Sequence, residues 1–424
     1  MNKSDIIENI KLNKKEFFII YIIVIITILA INQGMIQAGT LGMISVIVVL
    51  SFLNIESLFI CSIMLAPLVN ILKIQDGITI MPIILLLGII KILLKNNIKI
   101  NIKTLIFFTI FVASNAFNSL YRFGFQPEVY SMALLLLYVY LLMSNYQYKL
   151  PSLFNAISFT FILSMLIYCI GSDIFPNVVN VVAQKSEFTT RNVGFTNDWS
   201  YGQFLALSIA FSSIQVRRGN LSIIKYICLM VVFFYYLIQT GSYTGLMAIG
   251  IFFLLFPFST ELNSKKKLYI ALANMVTILV VFTFIAVYIF PKMLEVRSGN
   301  FGNNGRFDLW IFYINLLKDN TDIFLFGVGI GCIKTFAAQL HMLTTHNVVI
   351  EKLVELGVIG FSIFISLLYK MSNNAVINIK KNEKMLVLIT MAATLMVQGV
   401  SGNPLPFLLM PATIFINNIS KKIN

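Results

Sequence analysis

The sequence predicts an all-α fold: a polytopic transmembrane helical bundle of about 12–14 spans, with a large extracytoplasmic loop that contains short helices. Three observations predict it. Of 424 residues 58% are apolar and only 11% charged, with a mean hydropathy of +0.88, whereas soluble domains carry about 25% charged residues. Apolar runs long enough to cross roughly 30 Å of hydrocarbon recur along the whole chain. Those runs are rich in Leu, Ile and Phe and show no two-residue alternation, so their backbone groups are satisfied within helices and not around a barrel.

Candidate spans lie near 17–33, 40–54, 56–72, 78–94, 104–118, 129–144, 152–170, 200–215, 222–238, 243–258, 268–290, 351–369, 385–400 and 404–418. The first follows Lys11, Lys14 and Lys15, as the apolar core of a signal peptide would, but no small-residue cleavage site comes after it; it reads as a retained helix. Charge orients the series. With the N-terminus inside, segments 1–16, 91–103, 145–151, 216–225, 259–267, 370–384 and 419–424 face the cytoplasm and hold 21 of the 31 Lys and Arg. That asymmetry is the positive-inside rule, and one miscounted span would reverse every later loop. The expected topology is multi-pass with both termini cytoplasmic, and residues 1–424 form a single integral membrane domain.

The same rule accounts for the net charge of +14 without nucleic acid, which is not an expected partner. Cys61, Cys169, Cys228 and Cys332 show no CxxC pairing, so neither a disulfide framework nor a thiolate metal site is indicated. The two histidines, His341 and His346, are too few for a His-rich centre. Outer carboxylates, among them Asp173, Asp198, Asp308, Asp322 and Glu351, form no D-x-D and no close pair. No metal and no cofactor is expected, and the chemistry reads as metal-independent.

Ten cations remain for the outer side: Lys73, Arg122, Lys185, Arg191, Lys292, Arg297, Arg306, Lys318, Lys334 and Lys352. Eight fall in or beside two loops, 171–199 and 291–350. The longer loop passes through a Gly/Asn-rich run at 299–305. An amphipathic helix from Phe307 to Leu317 follows, with Trp310 and Tyr313 suited to a membrane interface. Next come Gly327-Val-Gly-Ile-Gly331, a helix from Cys332 to about Leu340, and His346-Asn347 before the next span. The glycines have no preceding strand, so tight turning or close helix approach is their expected purpose, not a dinucleotide fingerprint.

Three outer residues stand out as catalytic candidates. Arg191 and Arg306 present planar forks suited to a diphosphate, and His346 titrates in the range of a general base. Phospholipid contact, or ion pairs with Asp198 or Asp308, accounts for the arginines equally well, and a loop histidine is more often merely exposed. Arg297, Lys185, Lys334 and Asn347 are candidates for substrate binding. His341, five residues before His346, is expected to be structural.

Gly305-Arg306 with Trp310, Phe326-Gly-Val-Gly-Ile-Gly331, His346-Asn347 and Glu351-Lys-Leu-Val-Glu-Leu-Gly-Val-Ile-Gly360 together resemble the O-antigen polymerase and O-antigen ligase superfamily of bacterial envelope polysaccharide assembly. Arg191-Asn-Val-Gly-Phe-Thr-Asn197 resembles that superfamily's other arginine loop. The chain departs from the pattern where Asp322-Ile-Phe-Leu replaces a proline-bearing approach to the glycines, and at Asp198-Trp199. The resemblance implies a bacterial cytoplasmic (inner) membrane and an active site on its outer face. It implies transfer of an oligosaccharide from an undecaprenyl-diphosphate-linked donor to an acceptor, with membrane lipid and a chain-length regulator protein as further partners. Arg191 and Arg306 would hold the diphosphate, and His346 would orient or deprotonate the attacking hydroxyl. Asn347 would position that hydroxyl or the loop. Polymerisation of lipid-linked repeat units is the leading expectation. A ligase delivering glycan to lipid A core or protein is the alternative, and a transporter or flippase the more distant one.

Overall fold

The computed structural model describes residues 14–72, 79–94, 100, 102–124, 133–134, 137–138, 140–142, 150–183, 200–240, 242–255, 306–342 and 347–374. Every regular element among these is helical, and none is a β-strand. The candidate spans near 268–290, 385–400 and 404–418 lie outside the described residues. Two compact units are formed, one of residues 1–84, 148–301 and 378–394, the other of 85–147, 302–377 and 395–424.

The first unit opens with α1 (Lys14–Asn32) and α2 (Ala38–Phe52). α1 buries Phe17, Ile20, Tyr21, Val24, Ile28 and Ile31 at helical spacing, yet Phe18 is 66% and Ile26 58% exposed on its other face. A helix apolar all round has no face for water, so the outward side fits hydrocarbon. α1 ends in a glycine cap: Gly34, at φ 85°, donates to Ile31 O at 2.9 Å, and Met35 donates to Ala30 O at 3.1 Å. The return helix approaches closely, since a Cβ on Gly42 would overlap Thr27 Oγ1.

α3 (Ile55–Leu65) starts where Asn54 Oδ1 accepts from Ser57 N at 2.7 Å. It packs on α6 (Leu150–Ile174), and α1 is tied to α6 by Tyr21 Oη, which donates to Thr160 O at 2.8 Å and lies 3.1 Å from Ser164 Oγ. α4 (Ile80–Leu93) and α5 (Ile102–Phe123) precede α6, and the short α7 (Pro176–Ala183) follows it. α8 (Ser200–Arg217) is buried along most of its length and meets α6 through edge-to-face contacts of Phe161 with Phe204 and Phe211. Its buried serines bond backwards within the helix, Ser208 to Phe204 O at 2.9 Å and Ser212 to Ser208 O at 2.7 Å. Their hydroxyls are thus satisfied without partners on other helices. α9 (Ile223–Gln239) and α10 (Tyr243–Leu255) complete this part.

Two described helices, Lys15–Asn32 and Asn155–Ile174, are long and apolar enough to cross a membrane, and Ala38–Phe52, Ile55–Leu68, Ile80–Leu93 and Ile223–Gln239 are shorter apolar helices. These helices agree with a helical membrane protein. The second unit gathers α5 with α11 (Arg306–Asp319), α12 (Thr321–Phe326), α13 (Ile333–Gln339) and α14 (Val348–Asn374). Its core holds Leu309, Tyr313, Leu317, Ile323, Val328, Cys332, Ile333 and Val354.

Candidate functional site

The second unit is organised around a broken helix. α14 starts at Asn347, whose Oδ1 accepts from Val349 N at 3.0 Å and Ile350 N at 3.3 Å, while its carbonyl accepts from Glu351 N at 2.8 Å. Asn347 is therefore an N-cap, satisfying donors that a helix start leaves open. Ten residues on, Gly357 leaves helical geometry at φ 63° and ψ 175°. Beside this break the carbonyls of Val354 and Glu355 take N–H bonds from Val328 at 2.9 Å and Gly329 at 2.8 Å. The glycine run is thus bonded to the helix like a short strand laid across it.

The fit explains the glycines. Gly327, Gly329 and Gly331 have φ of 70°, 109° and 77°, a region other residues rarely enter. A Cβ on Gly327 would overlap Glu355 O, one on Gly357 would overlap Leu325 O, and one on Gly329 would lie 2.8 Å from Ser119 Cα. Tight turning and close helix approach are both present. α5 holds the turn from another side: Asn118 Nδ2 donates to Gly327 O at 2.8 Å and Phe326 O at 3.2 Å. Asn118 Oδ1 in turn accepts from Arg122 Nε at 3.0 Å, and Arg122 pairs with Asp322 at 2.8 Å. The Arg122 guanidinium hydrogen-bonded to Asp322 lowers the carboxyl below its ordinary range. α13 leaves the turn and ends with His341 at φ 54°; His341 donates to Ala338 O at 3.1 Å and Met342 to Ala337 O at 2.9 Å. His341 fills the place glycine usually takes in such a cap, a structural use.

Several expectations need correction. Lys352, expected at the edge of the long loop where the span from 351 begins, has an engagement the orientation rule did not anticipate: it is 4% exposed, on α14, ion-paired with Glu355 and lying 3.5 Å from Glu351. Glu351 and Glu355, at 0% and 1% exposure, are the close carboxylate pair that the sequence reading missed. Glu351-Lys-Leu-Val-Glu355 carried the signal, because residues four apart share a helix face. Tyr313 does not sit at an interface; it is fully buried, four residues from Leu309 and from Leu317 in the same cluster. Burial and the nearby Glu351 carboxylate push its phenol up to about 12. The outward face of α11 is mixed: Asp308, Asn315 and Lys318 are exposed beside Ile311 at 57% and Ile314 at 42%. Arg122, counted among the unexplained outer cations, is engaged by Asp322.

Of the three catalytic candidates, Arg306 is the first residue of α11, while Arg191 and His346 lie outside the described residues, as do Lys185 and Arg297. Lys334 is on α13 and Asn347 caps α14. α11 and α14 pack against each other within the second unit, so the element that Arg306 begins adjoins the one that follows His346-Asn347 in sequence. Among the described residues no three His, Cys, Asp or Glu side chains are grouped to hold a metal ion.

Residues 228–365 match the family model described as O-Antigen ligase. This stretch contains Arg306, the glycine turn, His346 and most of α14, but not Arg191. The match supports the O-antigen ligase and polymerase superfamily, an enzyme acting on lipid-linked polysaccharide at a membrane, and it does not separate polymerase from ligase. No curated protein matches the chain.

Proposed function

We propose that this chain is a metal-independent glycosyltransferase that polymerises undecaprenyl-diphosphate-linked repeat units at the outer face of a bacterial cytoplasmic membrane, with both termini on the cytoplasmic side. The family match over 228–365 carries the enzyme class in this reading, because it spans both Arg306 and His346; the choice of polymerase rests on the sequence resemblance. The packing of α11, which begins at Arg306, on α14, which follows Asn347, is in line with it.

The chemistry needs little from the protein beyond charge and alignment. The acceptor hydroxyl forms a new bond to the anomeric carbon of the donor glycan as the bond from that carbon to the diphosphate breaks. The electron pair leaves with the polyprenyl diphosphate and the hydroxyl proton passes to His346. Arg191 and Arg306 neutralise the leaving diphosphate, with Lys185, Arg297 and Lys334 as further cations around the glycan-phosphate chain. Asn347 uses its amide oxygen to cap the helix start, so in this reading it positions the loop, and its amide N–H groups are the ones that would face the hydroxyl.

Each of Arg191→Ala, Arg306→Ala and His346→Ala is expected to reduce polymer formation by about a hundredfold or more while the protein still inserts. A lysine at either arginine position restores little, because one ammonium cannot reproduce a bidentate fork. Surface glycans of a deletion strain complemented with each variant provide the measurement. Wild-type chain length from all three variants would refute the assignment. A second reading, ligase, is favoured by the family description itself. Loss of long chains with single units still attached indicates the polymerase, and loss of all attachment the ligase.

A further inference from the structure

The glycine turn is a backbone device; the buried ionic cluster beside it is a separate one. Glu351, Lys352 and Glu355 are 0%, 4% and 1% exposed, on the two helical turns between the Asn347 cap and the Gly357 break. Taking such groups out of water is costly unless their geometry is well satisfied, so their presence in an apolar protein calls for a reason. Their place on the chain gives one. The residue whose carboxylate holds Lys352 is the residue whose carbonyl accepts from Gly329 N. The other carboxylate, Glu351, donates its backbone N–H to the Asn347 carbonyl. Lys352 therefore ties the cap of α14 to the docking point of the glycine turn, along the helical stretch that joins them. α11, the helix that begins at Arg306, packs against α14 as well.

We infer that Lys352, clamped between Glu351 and Glu355, is a positioning residue that fixes the start of α14 on the glycine turn and so sets the alignment of the transfer site. This rests on the function proposed above. Removing the ammonium leaves two carboxylates buried together, which loosens the 347–357 segment and the 327–331 turn bonded to it. Misplacement by about 1 Å is enough to lower turnover by about a hundredfold.

The test uses the full chain in nanodiscs, comparing wild type with Lys352→Met and with the triple change Glu351→Leu, Lys352→Met, Glu355→Leu. The triple variant removes the buried charges together and is the deciding protein if Lys352→Met fails to accumulate. Two quantities are read: amide hydrogen exchange over 327–331, and transfer kinetics with a lipid-linked oligosaccharide. Expected are exchange about tenfold faster or more at Val328 and Gly329, and kcat lower by about 10- to 100-fold with the acceptor KM nearly unchanged. Exchange at the wild-type rate overturns the clamp, and so does faster exchange with wild-type kcat, or a rise in KM alone. Should the wild type form no transfer product, the proposed function fails. The exchange result still decides whether Lys352 holds the turn.

Discussion

The two units solve the problem of burying polar groups differently. In the first, buried serines such as Ser208 and Ser212 return to their own helix, and polar contacts between uncharged groups join helices, as from Tyr21 to Thr160 O and between Ser213 and Tyr226. In the second, a helix is broken at Gly357, a run of glycines is bonded into the break, and three charged side chains are buried beside it. The first arrangement needs only apolar composition and helical period, and it tolerates change. In the second the glycine turn and the Gly357 break depend on each other across the sequence, while the buried charges pair locally within 351–355. Strained backbone and buried charge persist only where surrounding structure enforces them, and they gather where a protein works. The second unit holds the described part of the motif proposed above to act on the glycan, Arg306 and Asn347.

Glycine substitutions break this comparison most forcefully. Gly329→Ala places a Cβ against the Ser119 backbone at a φ of 109°, and the expected cost is about 3 kcal/mol or more, with no single rescue. Gly42→Ala, in the first unit, meets only the Thr27 side chain; the expected cost is about 1–3 kcal/mol, largely recovered by Thr27→Ala. Thermal unfolding of purified variants checks both. Equal losses, or rescue at Gly329 by a change at Ser119, would erase the distinction. Next in size is Tyr21→Phe, which removes the bond to Thr160 O and is expected to cost about 1 kcal/mol without altering glycan transfer.

The smallest expected effect is at Arg122 and Asp322, whose side chains are 29% and 60% exposed. Solvent screens such a pair, so Arg122→Ala through this contact costs at most about 1 kcal/mol. The sign with pH is fixed. Arg122 lowers the Asp322 carboxyl, so the pair stabilises the fold above the ordinary carboxylate value. That contribution disappears as pH falls through the lowered value. Melting curves of Asp322→Asn and wild type should converge in acid and separate near neutrality.

The helices were legible because their apolar runs are long and their boundaries local: α1, α2, α8 and α9 fall within a few residues of the expected spans. The glycine turn was legible as a turn, since three alternate glycines have few other uses. Its docking was not, because the N–H donors at Val328 and Gly329 and their acceptors at Val354 and Glu355 are far apart in sequence. Gly357 looked like an ordinary glycine in an apolar helix for the same reason. The pairing of Lys352 was not anticipated because each cation was weighed against the membrane rule alone and not against the carboxylates on its own helix face. Tyr313 was misplaced because an aromatic with a polar tip suits an interface, although its spacing from Leu309 and Leu317 already pointed inward. For the site itself, the motif around Arg306 and His346 is read from sequence and family likeness, and the structure contributes the packing of α11 on α14.

Purified protein in nanodiscs, given an undecaprenyl-diphosphate-linked oligosaccharide as both donor and acceptor, offers the most direct measurement. Wild type should extend the lipid-linked chain with release of undecaprenyl diphosphate, in the presence of a chelator, and His346→Ala should leave the substrate unchanged. Extension by His346→Ala at the wild-type rate, or no extension by wild type, would contradict the account.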